Sequence, residues 1–482
     1  MLKGSKAAAG VAWSMSGAAG QAIAQLVVFV VLARVLTPEV FGVVAIASAL
    51  IDILNIIGRA GLVEVLVHRS EVNDRDLNSG FCASFIIGAV LTLALFASAP
   101  LLASSFDAPE LDHVVKWLSP VCLLFSIGAV YEAVMRRNFQ FKQLALRNAT
   151  ATLVSGVVAI GMALEGYGVY ALVAQRLILT VWALLAMAWS SGWLPSTNID
   201  VDDMMAQTRQ GFSIVLSSIL GTGNQRLVDL IVGYFLGAVQ LGYLRIAWRV
   251  LDLIIEIAVR PVSNVMLTTL TNARVAGRPM GEEYISIIRY ASVFIIPLFL
   301  GFSSVSHEAI TTIFGAKWER SADLLSILSF SGLLVPLIYF KSSLLIASSR
   351  FNHVVYLNSI EFLISLGIVA AFAPFGLTSA AIGNVVRTAV ATPIILFYLQ
   401  RLLHVSGWRS MKVSMPAIAA SLGMVLAVYV AKSLLSAHVN AYAGLVIYVS
   451  VGAAMFLALL LLLDRHLLTD LRNIRAHGRI AT

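Results

Sequence analysis

Charge is scarce in this chain. Only 12% of its 482 residues are Asp, Glu, Lys or Arg, about half the share of an ordinary soluble domain, and apolar side chains make up 59%. That composition excludes a water-soluble globule. The two cysteines, Cys82 and Cys122, both lie inside apolar runs, so a disulfide framework is excluded, and neither has the ligand companions that a metal or redox centre needs. The sequence also lacks a Gly-x-x-x-x-Gly-Lys-Ser/Thr phosphate loop, a His-Glu-x-x-His pair and a paired-cysteine motif, which leaves ATP-driven or metalloenzyme chemistry without support. Long polar loops are missing too. The largest, 190–210, holds about 20 residues, too few for an extramembrane domain.

What the chain does have is a series of apolar runs. About 20 apolar residues cross the hydrocarbon core, and every backbone polar group within it must bond internally, which forces helices. Fourteen runs fall near residues 11–33, 40–65, 80–103, 114–134, 145–165, 168–190, 212–235, 240–267, 285–305, 322–346, 353–373, 377–400, 413–434 and 442–463. The fold class is therefore all-α, a polytopic membrane protein. Spans one and five are rich in Gly, Ala and Ser, which lowers their hydropathy and suits close helix packing; without them the count is twelve. The net charge of +8 is no sign of nucleic acid, because basic residues gather in alternate loops, among them Arg136, Arg137 and Lys142, Arg274 and Arg278, and the tail from Arg465 to Arg479. This positive-inside pattern puts both termini in the cytoplasm. Lys3 and Lys6 precede an apolar run longer than a signal peptide's, and it reads as an uncleaved first span.

The chain matches itself at an offset of 200 residues. LTPEVFGVVAIASALIDIL from Leu36 aligns without gaps on LGAVQLGYLRIAWRVLDLI from Leu236, pairing Gly42 with Gly242, Ile46 and Ala47 with Ile246 and Ala247, and Asp52 with Asp252. Two copies of six spans enter the membrane from the same side, a parallel pseudo-repeat. The expected organisation is a first lobe at 1–190, a cytoplasmic linker at 191–211 with Pro195, Asp200, Asp202 and Asp203, a second lobe at 212–402, and two extra helices with a basic tail at 403–482.

Charges inside spans are the candidate functional residues. Span eight carries Arg245, Arg249, Asp252, Glu256 and Arg260 at steps of four, three, four and four, all on one helical face. Span two carries Asp52, Asn55 and Arg59 at steps of three and four, span seven adds Arg226 and Asp229, and Arg176, Lys341, Glu361 and Arg387 lie in or at the ends of other spans. A charge facing lipid at mid-membrane costs at least about 3 kcal/mol, so these faces meet protein or water. Two readings stand. In one, the charges neutralise each other as internal ion pairs, Glu256 with Arg260 for example. In the other, Arg59, Arg226, Arg245, Arg249 and Arg260 line a cationic cavity for an anionic substrate, while Asp52, Asp229, Asp252 and Glu256 couple an ion or neutralise the arginines.

Four segments carry a family resemblance: LARVLTPEVFGVVAIA from Leu32, RRNFQFKQLALRNATATLVSG from Arg136, GYGVYALVAQRLI from Gly166 and FGAKWERSADLLSILSFSGLLVPL from Phe314. Together they resemble the polysaccharide transporter family, the Wzx-type flippases of the multidrug/oligosaccharidyl-lipid/polysaccharide exporter superfamily, in its exopolysaccharide branch. The resemblance implies a non-enzymatic flippase without a cofactor, driven by a sodium or proton gradient. It would move undecaprenyl-diphosphate-linked repeat units across the bacterial inner membrane as a monomer beside a polysaccharide polymerase and co-polymerase. MLTTLTNAR from Met266 departs from the Phe-Pro-Ala-like stretch expected after span eight. A multidrug exporter of the same superfamily would favour an acidic, aromatic cavity, and a membrane polymerase would carry a long outer loop. Neither suits this sequence as well.

Overall fold

The computed structural model describes residues 21, 23–59, 61–221, 223–435 and 440–464. The first half of the expected span one, Lys3, Lys6 and the basic tail therefore lie outside the described residues. Everything with regular structure among the described residues is helical. In chain order the helices are α1 (Ile23–Val35), α2 (Pro38–Gly58), α3 (Leu62–His68), α4 (Asp74–Ser105), α5 (Glu110–Leu118), α6 (Pro120–Arg137), α7 (Phe141–Leu164), α8 (Val169–Ser191), α9 (Val201–Gly221) and α10 (Gly223–Ile254). They continue with α11 (Arg260–Val275), α12 (Met280–Ser304), α13 (Ser306–Ile313), α14 (Glu319–Leu328), α15 (Val335–Ile338), α16 (Lys341–Ala347), α17 (Phe351–Phe372), α18 (Leu377–Leu403), α19 (Gly407–Leu435) and α20 (Ala441–Leu463).

Among the described residues eleven helical stretches are long and apolar enough to cross a bilayer, or twelve when the pair Ala316–Leu333 and Val335–Ala347, bent by 48°, counts as one. This is an all-helical polytopic membrane protein. The expected spans two to six, nine and eleven to fourteen each fall on one of these stretches, and span ten falls on the bent pair, where Pro336 opens α15. Span seven begins on α9, and its remainder shares with span eight a single stretch, Gly223–Val275, because α10 is interrupted only at Gly237, which takes φ 81°, a conformation costly for any side chain with a Cβ. Below it, Ile255–Val259 forms one π-helical turn ahead of Pro261. A proline has no N–H and its ring clashes with the preceding turn, and a wider turn relieves that clash.

Helix starts follow local chemistry. Thr37 caps α2, accepting from the Val40 N–H at 3.5 Å, with Pro38 in the first turn, where its missing donor costs nothing. Asn73 and Asp76 exchange hydrogen bonds of 2.9 and 3.0 Å with each other's backbone at the head of α4, a capping box.

The described chain forms two compact units that divide between Arg245 and Ile246. In the first, α7 packs on α8 and α6 on both α4 and α8, around Val63, Leu66, Val130 and Met135 and the edge-to-face rings of Phe81, Tyr131 and Trp193. In the second, α19 lies on α12 and α20 on α19, with Ile296, Leu300, Ala420, Met424 and Phe456 at the contact. Within that contact the hydroxyls of Ser292 and Ser414 meet at 2.8 Å. Large apolar side chains such as Leu93 and Leu101 on α4 and Leu426 and Val430 on α19 are exposed, as a face against acyl chains requires.

Helices α2 and α10 cross inside the first unit. A Cβ built on Gly42 would lie 1.7 Å from the carbonyl oxygen of Ala238, and one on Gly242 would lie 1.9 Å from that of Pro38. Pro38 and Gly42 thus face Gly242 and Ala238 in reciprocal fashion, a crossing of small residues that brings backbone onto backbone.

The stretch expected as a cytoplasmic linker turns helical at Val201, and its acids pair with arginines on either side of the start of α4: Asp203 accepts from Arg69 at 2.7 Å and Asp200 pairs with Arg75 at 3.4 Å. Asn78 also donates to Ser196 at 2.7 Å. Burial pushes the Asp203 carboxyl up, and the hydrogen bonds from Arg69 and Gln207 outweigh it, holding Asp203 below the usual carboxylate range.

Candidate functional site

Helix α2 carries the chemistry of the first unit at two levels. Midway along it, Asp52 accepts from Arg176 of α8 and, on its other oxygen, from Arg226 Nε at 3.0 Å. Arg226 also reaches Asp229 at 3.4 Å, and Arg245, beyond the Gly237 break, reaches the same carboxylate at 3.1 Å. Asp229 is 1% exposed. Arginine and aspartate alternate along this network, which ties together three helices. Buried charges survive only when paired in good geometry, and here each carboxylate is held between two guanidiniums.

Seven residues on, roughly 10 Å along the axis, α2 ends at Arg59. Its Nη2 donates to Glu132 Oε2 at 2.8 Å, and Arg136 Nη2 donates to Glu132 Oε1 at 2.5 Å. The Phe125 ring lies 5.5 Å from the Arg59 guanidinium. Arg147 stands close enough to act electrostatically on Glu132, Arg59 and Arg136, and its donors go to neutral atoms, Asn148 Oδ1 at 2.6 and 2.9 Å and the Met187 sulfur at 2.6 Å. The adjacent Arg137 is structural: it closes the end of α3 by donating to the carbonyls of Leu66 at 2.9 Å and Arg69 at 2.6 Å.

The sequence-predicted residues are thus distributed. Asp52, Arg226, Asp229 and Arg245 come together in one network with Arg176, while Arg59 belongs to the other cluster. Arg249 and Asp252 are half-buried on α10. Glu256 and Arg260 make a loose 3.8 Å pair, with the Arg260 side chain 64% exposed. The π turn explains that exposure, because an extra residue in the turn rotates Arg260 away from a face counted in steps of four. Sequence reasoning missed Glu132; the available signal was a lone acid in an apolar span, four residues ahead of Arg136. In the second unit, Lys341 donates to Glu361 at 2.9 Å and Arg387 to Ser365 at 2.6 Å. Among the described residues no group of three His, Cys, Asp or Glu side chains forms a candidate metal site.

Residues 31–323 match the model of a family described as "Polysaccharide biosynthesis protein". The chain belongs to that family. This polysaccharide biosynthesis family member is 25% identical to the succinoglycan biosynthesis transport protein ExoT of Rhizobium meliloti (strain 1021), over 68% of this chain and 66% of that protein, just under two thirds of its length. It is 23% identical to the teichuronic acid biosynthesis protein TuaB of Bacillus subtilis (strain 168), over 87% of each chain. Among solved structures it shares the fold of lipid II flippase MurJ in an inward closed conformation, with a TM-score of 0.78 at 16% identity, covering 95% of this chain and 100% of that one. The polysaccharide biosynthesis family member is therefore a multi-pass membrane protein with the fold of that flippase.

Proposed function

We propose that the chain flips undecaprenyl-diphosphate-linked oligosaccharide units from the cytoplasmic to the outer leaflet of a bacterial inner membrane, for exopolysaccharide synthesis. The observation that carries this reading is the concentration of six arginines with three carboxylates along one helix of a lipid-embedded unit: Arg176, Arg226 and Arg245 with Asp52 and Asp229, then Arg59, Arg136 and Arg147 with Glu132. Guanidiniums stay charged when partly desolvated and present paired donors to phosphate oxygens, so such a concentration suits a diphosphate where it would repel an organic cation. Similarity to a succinoglycan transport protein supports the exopolysaccharide branch.

In this reading the cavity opens in turn to either side while the lipid tail stays in the bilayer. The chain crosses the membrane fourteen times, α1 and both parts of Gly223–Val275 included, as two six-helix lobes plus α19 and α20, with both termini cytoplasmic. Asp52, Asp229, Asp252 or Glu256 couples transport to sodium or protons or keeps the arginines neutralised, and the flipped glycan passes to a polymerase and its co-polymerase. The test is uptake of a fluorescent lipid-linked glycan by vesicles containing the purified protein. Arg59→Gln should lower the initial rate at least about tenfold with protein yield unchanged, and equal rates for the variant and the parent would overturn the assignment.

A further inference from the structure

The cluster at the end of α2 is overcharged in a specific way. Glu132 is shared, one oxygen to Arg59 and the other to Arg136, so a single carboxylate bridges two guanidiniums as a phosphate oxygen pair would. The third arginine, Arg147, rests on an amide oxygen and on a thioether, and sulfur is a weak acceptor. Asn148 holds Arg147 beside the other two. The Glu132 side chain is 16% exposed and that of Arg59 28%, and the Arg136 side chain is 46% exposed. The arginines are therefore reachable, and their present carboxylate partner is itself an anion on a movable side chain.

We propose that Arg59, Arg136 and Arg147 form a binding site for a diphosphate ester in which Glu132 is an internal competitor: ligand oxygens displace the Glu132 carboxylate from Arg59 and Arg136 and give Arg147 the charged acceptors it lacks. This rests on the transport reading above and adds the rule by which the site loads and empties. Three guanidiniums on a diphosphate would hold it too tightly for transport. A resident carboxylate that must be displaced on binding lowers the affinity and returns to push the ligand off, so occupancy depends on the difference between two anions. No bond is made or broken in the exchange.

The test uses the full-length protein purified in detergent, with inorganic pyrophosphate and undecaprenyl diphosphate as titrants. Glu132→Gln keeps the shape and removes the competing charge, so pyrophosphate should bind on the order of tenfold more tightly, while glycan uptake into vesicles slows because release slows. Arg147→Gln should weaken pyrophosphate on the order of tenfold, with Arg147→Lys between the two. Lys116→Gln, which breaks a pair with Asp112, should leave pyrophosphate affinity unchanged. Equal gains for both titrants in Glu132→Gln would identify the lipid-linked diphosphate as the ligand, and a gain for pyrophosphate alone would identify a soluble diphosphate. Unchanged or weaker pyrophosphate binding in folded Glu132→Gln would overturn the exchange. Vesicles in which the parent protein moves no lipid-linked glycan would refute the transport reading instead, whatever the binding results.

Discussion

The two charged levels of α2 are built from the same residue types and differ in ratio and depth. At mid-helix, guanidiniums and carboxylates alternate, Arg176, Asp52, Arg226, Asp229, Arg245, and the innermost carboxylate is 1% exposed. At the helix end, three arginines surround one glutamate and the cluster is open to water through a half-exposed Arg136. The first arrangement has one guanidinium more than its carboxylates, close to balance, and so also fastens helices together. The second leaves cationic capacity unspent and so suits a visitor. The lesson is that a count of arginines in a membrane protein says less than the number of carboxylates each must share.

This contrast is most easily broken at Asp229. Asp229→Asn removes the buried carboxylate shared by two half-buried guanidiniums and should be the most destabilising of these changes, read as a large loss of monodisperse protein on size-exclusion chromatography and of thermal resistance. Glu132→Gln should cost far less, because water reaches its arginines. If both variants lose stability alike, the two levels do the same job. A smaller effect sharpens the comparison. A double-mutant cycle of Asp52→Asn with Arg226→Gln should give a coupling of about 1–2 kcal/mol, and coupling near zero would mean that Arg176 alone satisfies Asp52.

The smallest effect lies outside the membrane, at Asp203. Its folded value sits below the ordinary 3.8, so its contribution is whole above the unfolded value and fades as pH falls through the folded one. Acidification below about pH 4 should speed hydrogen exchange at 200–207, and Asp203→Asn should show that faster exchange already at neutral pH.

Much of the fold was legible in the sequence, and the site only in part. Apolar runs located the spans because a bilayer demands about 20 such residues whatever the packing. Helical spacing placed Asp52, Asn55 and Arg59 on one face of span two, and the structure keeps them on one helix. Spacing within a helix says nothing about partners on other helices, so neither Arg176 as the neighbour of Asp52 nor Glu132 as the neighbour of Arg59 could be read. The face assigned to span eight failed at Arg260 for a different reason, since the count in steps of four assumed an unbroken α-helix and Pro261 forces a wider turn just before it. The pairing of Asp200 and Asp203 could not be read either, because their cations sit 125 or more residues away in sequence, on Arg75 and Arg69.

The crossing of Gly42 and Gly242 limits what any later change can repair. A methyl group at either position strikes the main chain of the facing helix, which has no side chain to reshape in response. An alanine at one glycine therefore cannot be rescued by trimming a residue across the crossing, and only a shift of a whole helix would make room for it.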